Sequence, residues 1–328
     1  MNFDLQIDPS AEARSIEASI RDIVISRLRR KGVVVGLSGG VDSSVVAALS
    51  ARALGAERVV GLLMPEADSS ADSLRLGRIV ARQLGIHSFT EDVSGILGAA
   101  GCYRRRDEAI RSLVPQYHGG WRCKLVFPDL VDRAGYAVYS LVLVAPSGTE
   151  TRVRLTADAY LGIVAATNFK QRVRKMMEYY YADRMRYAVA GTPNLLEYDQ
   201  GFFVKNGDGA ADLKPIAHLY KSQVYQLAEY LDLPDEIRRR PPTTDTYPLE
   251  QSQEEFYFGL SLQKTDMCLY ARDHHVPAAD AAAWVGLTTE QVERAYAMID
   301  SKREAARYLH APPLLSDAMT TESAKFVW

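Results

Sequence analysis

Hydroxyls, glycines and a carboxylate crowd into Ser38-Gly39-Gly40-Val41-Asp42-Ser43-Ser44, directly after the apolar run Val33-Val34-Val35-Gly36-Leu37. The run reads as a buried strand feeding a glycine turn, after which small hydroxyl residues open a helix carrying Val45, Val46 and Leu49. Such a turn aims backbone N–H groups and the positive end of a helix dipole at one spot, which suits a phosphate or pyrophosphate. Gly39 and Gly40 let the backbone approach that anion with no Cβ in the way. Asp42 puts a carboxylate where the loop bends, in reach of a metal ion carried by the pyrophosphate. A turn that merely packed helix on strand would leave the serines and the aspartate unexplained.

Three chemistries compete for this stretch. A Walker loop requires G-x-x-x-x-G-K-[ST], and no lysine follows these glycines, so that reading fails. Gly36-Leu37-Ser38-Gly39-Gly40 matches G-x-S-x-G, the nucleophile elbow of hydrolases, with His218, His274, His275 and His310 available as a late base. The elbow leaves Asp42 without a role. The third pattern, S-G-G-x-D-S, belongs to enzymes that split ATP between its α- and β-phosphates, and it is matched at every fixed position.

A chain of 328 residues accommodates one large domain or two small ones, and 47% hydrophobic with 24% charged residues is ordinary for a globular chain. A formal net charge of -2 provides no broad basic field, which argues against nucleic acid as the main partner. Cys102, Cys123 and Cys268 are too few and too scattered for a disulfide framework or a C-x-x-C site, so buried apolar roles in a reducing compartment are expected. The N-terminus Met1-Asn2-Phe3-Asp4-Leu5 carries no basic stretch or apolar signal core, and no apolar run is long enough to span a bilayer. A cytoplasmic protein without membrane contact is the expectation.

Helical spacing over Ala11–Arg30 precedes the strand and turn. Val59–Met64 predicts a second buried strand, Ser70–Leu84 a helix stopped by Gly85, and Ile86–Thr90 a third strand. This rhythm specifies an α/β fold: a doubly wound parallel sheet with helices on both faces. Between Gly95 and Thr167 the rhythm breaks. Tyr136–Val144 and Thr151–Leu155 flank a Pro-Ser-Gly turn, which predicts a β-hairpin inside an insertion spanning about 100–165, within a single domain of 1–328. Phe169–Met185 returns to helix, Tyr187–Ala190 is a short strand, and Ser222–Tyr230 is helical. Arg240–Thr244 reads as an extended loop, and Thr288-Thr289-Glu290-Gln291 as a capping box opening a helix to about Arg307.

With its downstream blocks included, the chain resembles the ammonia-dependent NAD synthases of the ATP-pyrophosphatase superfamily. Besides the Ser38–Ser44 loop, the likeness rests on Met64-Pro65-Glu66, on Asn168-Phe169-Lys170-Gln171-Arg172-Val173-Arg174, and on Gly191-Thr192-Pro193-Asn194-Leu195-Leu196-Glu197. It continues through Lys205-Asn206-Gly207-Asp208-Gly209, Leu219-Tyr220-Lys221-Ser222-Gln223-Val224 and Pro241-Pro242-Thr243-Thr244-Asp245, in the family's order. The resemblance implies an adenine nucleotide alpha hydrolase-like fold. It also implies that ATP activates the carboxylate of deamido-NAD as an acyl-adenylate, which ammonia converts to the amide of NAD with release of AMP and pyrophosphate. Carried over by position, Ser38, Gly39, Gly40, Asp42 and Ser43 would hold the pyrophosphate, and Asp42 and Glu197 would bind Mg2+. Thr192 and Thr243 would touch ATP, and Lys221 would neutralise its phosphates, making Asp42 and Lys221 the catalytic pair. Arg172 and Asp208 would lie near the dinucleotide. Family members are typically homodimers with substrate sites at the subunit boundary.

Three departures bear on the acceptor half and leave the ATP half intact. Lys170 stands where the family often has Gln, Ser252–Gly259 is richer in aromatics, and residues 100–165 exceed what compact members need. An adenylating amide ligase for a different carboxylate is therefore the alternative within the superfamily, beside the Ser38 hydrolase. The chain is too short to hold a glutaminase domain beside the synthase, so free or delivered ammonia is the expected nitrogen source.

Overall fold

A computed structural model describes residues 5–128 and 139–314. Helix α1 (Pro9–Arg21) is capped by Asp8, whose carboxylate accepts from the Ser10 and Ala11 amides. It passes into a π-helical turn at Asp22–Arg27, so the helix expected to Arg30 ends earlier and less regularly. Strand β1 (Val33–Gly36), helix α2 (Val41–Leu54), strand β2 (Val59–Leu63), helix α3 (Ala71–Gln83) and strand β3 (His87–Thr90) follow in the expected rhythm.

Residues 94–154 are structured differently from the expectation of one hairpin. Two helices come first, α4 (Ser94–Ala99) and α5 (Cys102–Arg111), then β4 (Arg122–Val126), β5 (Ser140–Val144) and β6 (Glu150–Arg154). The predicted hairpin is the antiparallel pair β5–β6, and β4 adds a third strand to it, in the order β4-β5-β6. The start of the strand expected from Tyr136 lies outside the described residues. Helix α6 runs from Ala157 to Met185, twelve residues earlier than Phe169. Thr156 caps it through an accepted hydrogen bond from the Ala159 amide, a start hidden among β-rich neighbours.

Strand β7 (Ala188–Ala190), α7 (Leu195–Gln200), α8 (Lys221–Tyr230) and α9 (Asp235–Arg239) follow. Helices α10 (Leu262–Asp273), α11 (Ala278–Val285) and α12 (Thr289–His310) form a C-terminal cluster, the last opened by the Thr288/Gln291 capping box.

The main sheet is parallel throughout, ordered β3-β2-β1-β7. Alternation sorts its two faces: Val33 and Val35 pack with α1, α2, α3 and α8, whereas Val34 and Val189 pack with α4, α5 and α6. Helices on both faces are what the strand–helix rhythm predicted. The edge strand β3 is exposed at all four residues, as an outer position allows. The antiparallel sheet has its own core of Cys123, Leu125, Leu141 and Leu143 against Ile110 and Ile163. All three cysteines are buried and unpaired, and no described helix is long and apolar enough to cross a membrane.

Lys302 of α12 is buried under the rings of Tyr257, Phe258 and Phe127, and its Nζ donates to the Tyr257 carbonyl at 2.6 Å. Burial pushes this ammonium down to about 7, far below the unfolded lysine value. Between those two values the unfolded chain holds a proton that the folded chain releases, so stability rises with pH above about 7. Chemical denaturation should therefore show Lys302→Met gaining on wild type at pH 7 and below, with the gap narrowing by pH 10. A gap independent of pH would contradict the burial argument.

Candidate active site

The β1–α2 turn is built by its own side chains. Leu37 extends β1 by donating to the Leu62 carbonyl at 2.7 Å, and Ser38 then turns the chain. The Ser38 Oγ accepts from the Gly40 amide at 3.2 Å and lies 3.2 Å from the Ser43 Oγ. Ser43 and Ser44 hydroxyls donate back to the Gly40 carbonyl at 3.1 and 2.8 Å. Gly40 is the N-cap of α2 and contributes no capping side chain, which leaves the first-turn amides to a ligand or to water. Gly39, at φ +74°, has a packing reason: a Cβ there would lie 2.6 Å from the Ser73 carbonyl. It seats the turn on the start of α3 and is not itself in the cavity wall, so only Gly40 of the two glycines opens toward the anion position.

Above this turn lies a cavity of about 540 Å³, walled by Ser38, Gly40, Asp42 and Ser43 on one side. Thr192, Glu197, Asp208, Lys221 and Thr243 line the same cavity, so nearly all the predicted site residues converge from widely separated segments. Arg172 does not. It is exposed on α6, where its Nε donates to the Lys205 carbonyl at 3.3 Å, while Arg174, two residues on, faces the cavity.

Asp42 is the hub. Its Oδ2 accepts from the buried Lys221 Nζ, and its Oδ1 accepts from Asn194 Nδ2 at 3.0 Å. Lys221 is the first residue of α8, whose N-terminal amides are held by Asp266 of α10. Asn194 and Glu197 form the capping box of α7, and Gln253 donates to Glu197 Oε1 at 2.9 Å. Glu197 thus both closes the capping box of α7 and forms part of the cavity wall. Burial, then the charge of Asp42, raises the proton affinity of Glu197 to about 7, with Lys221 opposing. Burial likewise raises Asp208, whose Oδ1 accepts from the Val204 amide at 2.7 Å.

Two acids and one lysine leave a surplus of negative charge that a cation would relieve. No cluster of three or more His, Cys, Asp or Glu suited to a metal occurs among the described residues. Asp42 and Glu197 alone fit Mg2+, which takes one or two carboxylates and completes its octahedron with phosphate and water.

Sequence reasoning missed Asn194, Gln253 and a buried charge network. Lys170 Nζ donates to Glu66 Oε1, Asp68 Oδ2 and the Thr246 carbonyl at 2.8, 2.7 and 2.6 Å. Arg106 of α5 pairs with Asp68, and Tyr103 donates to Glu66 Oε2 at 2.8 Å. The lysine noted as a departure from Gln thus ties the Met64–Ser70 loop to residues 241–247, and α5 secures the same loop. The signal was a charge in place of an amide together with two acids at Glu66 and Asp68. The hydrolase reading has no base: His218 pairs with Glu12, His310 meets the Tyr198 carbonyl, and no described histidine lines the cavity.

A hydroxyl-rich turn at the C-terminal end of β1, sharing a cavity with Glu197 from the segment after β7, sits on an α/β fold of the adenine nucleotide alpha hydrolase-like type. The chain belongs to the NAD synthase family, whose model matches residues 12–112 and 150–307. The unmatched stretch between those segments holds β4 and β5. The NH(3)-dependent NAD(+) synthetase of Mesorhizobium japonicum is 58% identical over 312 residues, covering 95% of this chain and 98% of that protein. The Thermotoga maritima protein of the same name is 34% identical, over 78% of this chain and 85% of its own length. Among solved structures, an NMN synthetase from Francisella tularensis superposes with a TM-score of 0.64 and an NH3-dependent NAD synthetase from Campylobacter jejuni with 0.62. Each is 22% identical and covers 95% of this chain and 100% of its own.

Lys170→Met leaves Glu66 and Asp68 buried with Arg106 as the remaining nearby cation. Loss of one partner of a buried pair costs about 3–5 kcal/mol. Urea unfolding should show a loss in that range, whereas a change below about 1 kcal/mol, the scale of a surface pair, would contradict the network.

Proposed function

We propose that this protein is an ammonia-dependent NAD synthase: a ligase that amidates deamido-NAD with ammonia while ATP is converted to AMP and pyrophosphate. The observation that carries the reading is the convergence of Asp42, Glu197 and Lys221 beside the Ser38–Ser43 turn. The 58% identity to a relative named for that activity, across nearly the whole of both chains, supports the choice of acceptor.

In this reading Ser38, Gly40 and Ser43 hold the pyrophosphate portion of ATP by hydroxyl and amide donors, and Gly39 fixes the turn that presents them. Asp42 and Glu197 would hold Mg2+, which when bound screens the negative charge of the phosphates from the incoming carboxylate. Lys221, already pre-positioned by Asp42, neutralises a phosphate oxygen, and Thr192 and Thr243, both in the cavity wall, contact the nucleotide. Asp208 belongs to the acceptor end of the cavity. The chain's contribution to rate is chiefly placement of two anions in line, since positioning supplies much of the acceleration in such transfers.

Arg172 has a place if two copies associate. It shares one side of α6 with the exposed Leu161, Met176 and Tyr180, at 60%, 52% and 53% exposure. At about 100° per residue these lie within roughly a third of the helix circumference. We assign this stripe to a homodimer interface, which would carry Arg172 to the subunit boundary. Three buried, unpaired thiols suit the reducing interior of a cell, where we place the protein.

Purified protein given ATP, magnesium, ammonium and deamido-NAD should release AMP and pyrophosphate in step with NAD. Asp42→Asn should lower turnover about 100-fold or more, the scale of losing a charge-stabilising group. AMP release only with another pyridine carboxylate, such as nicotinic acid mononucleotide, would move the assignment to a related amide ligase. Near-normal turnover of Asp42→Asn would remove the magnesium site. For the dimer, sedimentation should give twice the chain mass for wild type and a single chain for Met176→Glu. A wild-type monomer would contradict the interface.

A further inference from the structure

Among the described residues three cationic side chains line the cavity, and the structure commits them unequally. Lys221 is bound to Asp42. Arg174 directs Nε at the Met64 carbonyl and Nη2 at the Ser69 Oγ, each at 3.2 Å, which holds it in the loop wall. Arg240 makes one side-chain hydrogen bond, Nη2 to the neutral Ser73 Oγ at 3.2 Å, and among the described residues it has no carboxylate partner. Its neighbours Arg238 and Arg239, by contrast, both pair with Asp235.

Place sharpens the contrast. Ser73, the residue Arg240 touches, is the one whose carbonyl packs against Gly39 of the turn. Arg240 is only three residues before Thr243, and both line the main cavity. Both also line a second, adjoining cavity of about 540 Å³ between α3 and residues 236–251. The guanidinium thus stands between the hydroxyl-rich turn and a separate opening, half-buried, where water screens it less than at a surface.

We propose that Arg240 binds the departing pyrophosphate and takes up the charge that develops on it. This rests on the reading of the site given above. In the transfer step an oxygen of the acceptor carboxylate forms a bond to the α-phosphorus as the bond from that phosphorus to the α–β bridging oxygen breaks. The electron pair stays on the bridging oxygen, so pyrophosphate leaves with one more negative charge than it shared in ATP, and no proton moves. A guanidinium offers a planar fork of donors matched to phosphate oxygens. Being uncommitted, Arg240 can meet that charge without first giving up an ion pair. Arg240 also lines the adjoining cavity, so its guanidinium borders both spaces.

Titration calorimetry with magnesium pyrophosphate, without acceptor, reads this binding directly and does not depend on which carboxylate is the substrate. Arg240→Ala should weaken pyrophosphate binding at least about tenfold and lower kcat by about 100-fold, the scale of losing one donor to a developing anion. The KM for acceptor should stay within about twofold, and added guanidinium chloride at millimolar levels should restore part of kcat. Arg240→Lys should fall between wild type and Arg240→Ala in both readouts. Unchanged pyrophosphate affinity in Arg240→Ala would overturn the proposal, as would lost kcat that neither guanidinium nor the lysine variant recovers. Failure of deamido-NAD as acceptor would overturn the functional reading and leave the pyrophosphate result standing.

Discussion

A single carboxylate, Asp42, is gripped from two sides by groups belonging to two later segments of the chain. Lys221 reaches it from the start of α8 and Asn194 from the cap of α7. The strand order makes the meeting possible. From β1 the chain winds outward through β2 and β3, then returns across the sheet to β7 on the other side of β1. The crevice between the carboxyl ends of β1 and β7 is therefore where the winding direction reverses, and ligands bind open α/β sheets at that point. The Ser38–Gly40 turn leaves one strand there and the Thr192–Asn194 segment leaves the other.

The same grip explains why this place is electrostatically unfinished. Asp42 and Lys221 compensate each other, so the partly buried Glu197 has only shared relief and holds its proton more tightly than a free carboxylate. Folding alone would not select such an arrangement, since removing a carboxylate from water without its own counter-charge is costly. The proposed cation and polyphosphate would supply the missing counter-charge. A few residues away the Lys170 network shows the opposite case. Its acids have matched cations within hydrogen-bond distance, and it ties the Met64–Ser70 loop to residues 241–247, two parts of the cavity wall.

Much of the fold is legible in the sequence. The valine run, the Ser38–Ser44 turn and the strand–helix rhythm each depend on local pattern, and parallel sheets with covered faces follow from local pattern by a small set of connection rules. Ser38, Asp42, Thr192, Glu197, Asp208, Lys221 and Thr243 stand in short motifs with fixed spacings, and the cavity brings them together. What escaped is long-range. The partners of Lys170 lie 76 to 104 residues away in sequence. The first three turns of α6 were masked by β-branched and aromatic neighbours. Arg172 was placed by its motif yet points to the outer face of α6, because a helix carries residues two apart to different sides.

The claim that Asp42 and Glu197 hold a divalent cation against ATP beside the Ser38–Ser43 turn is tested most directly by anomalous diffraction from crystals grown with manganese and ATP. The account predicts a manganese peak within coordination distance of both carboxylates, with the β- and γ-phosphates over the hydroxyls of the turn. A manganese–triphosphate complex seated elsewhere on the protein, with Asp42 still engaged only by Lys221 and Asn194, would contradict it.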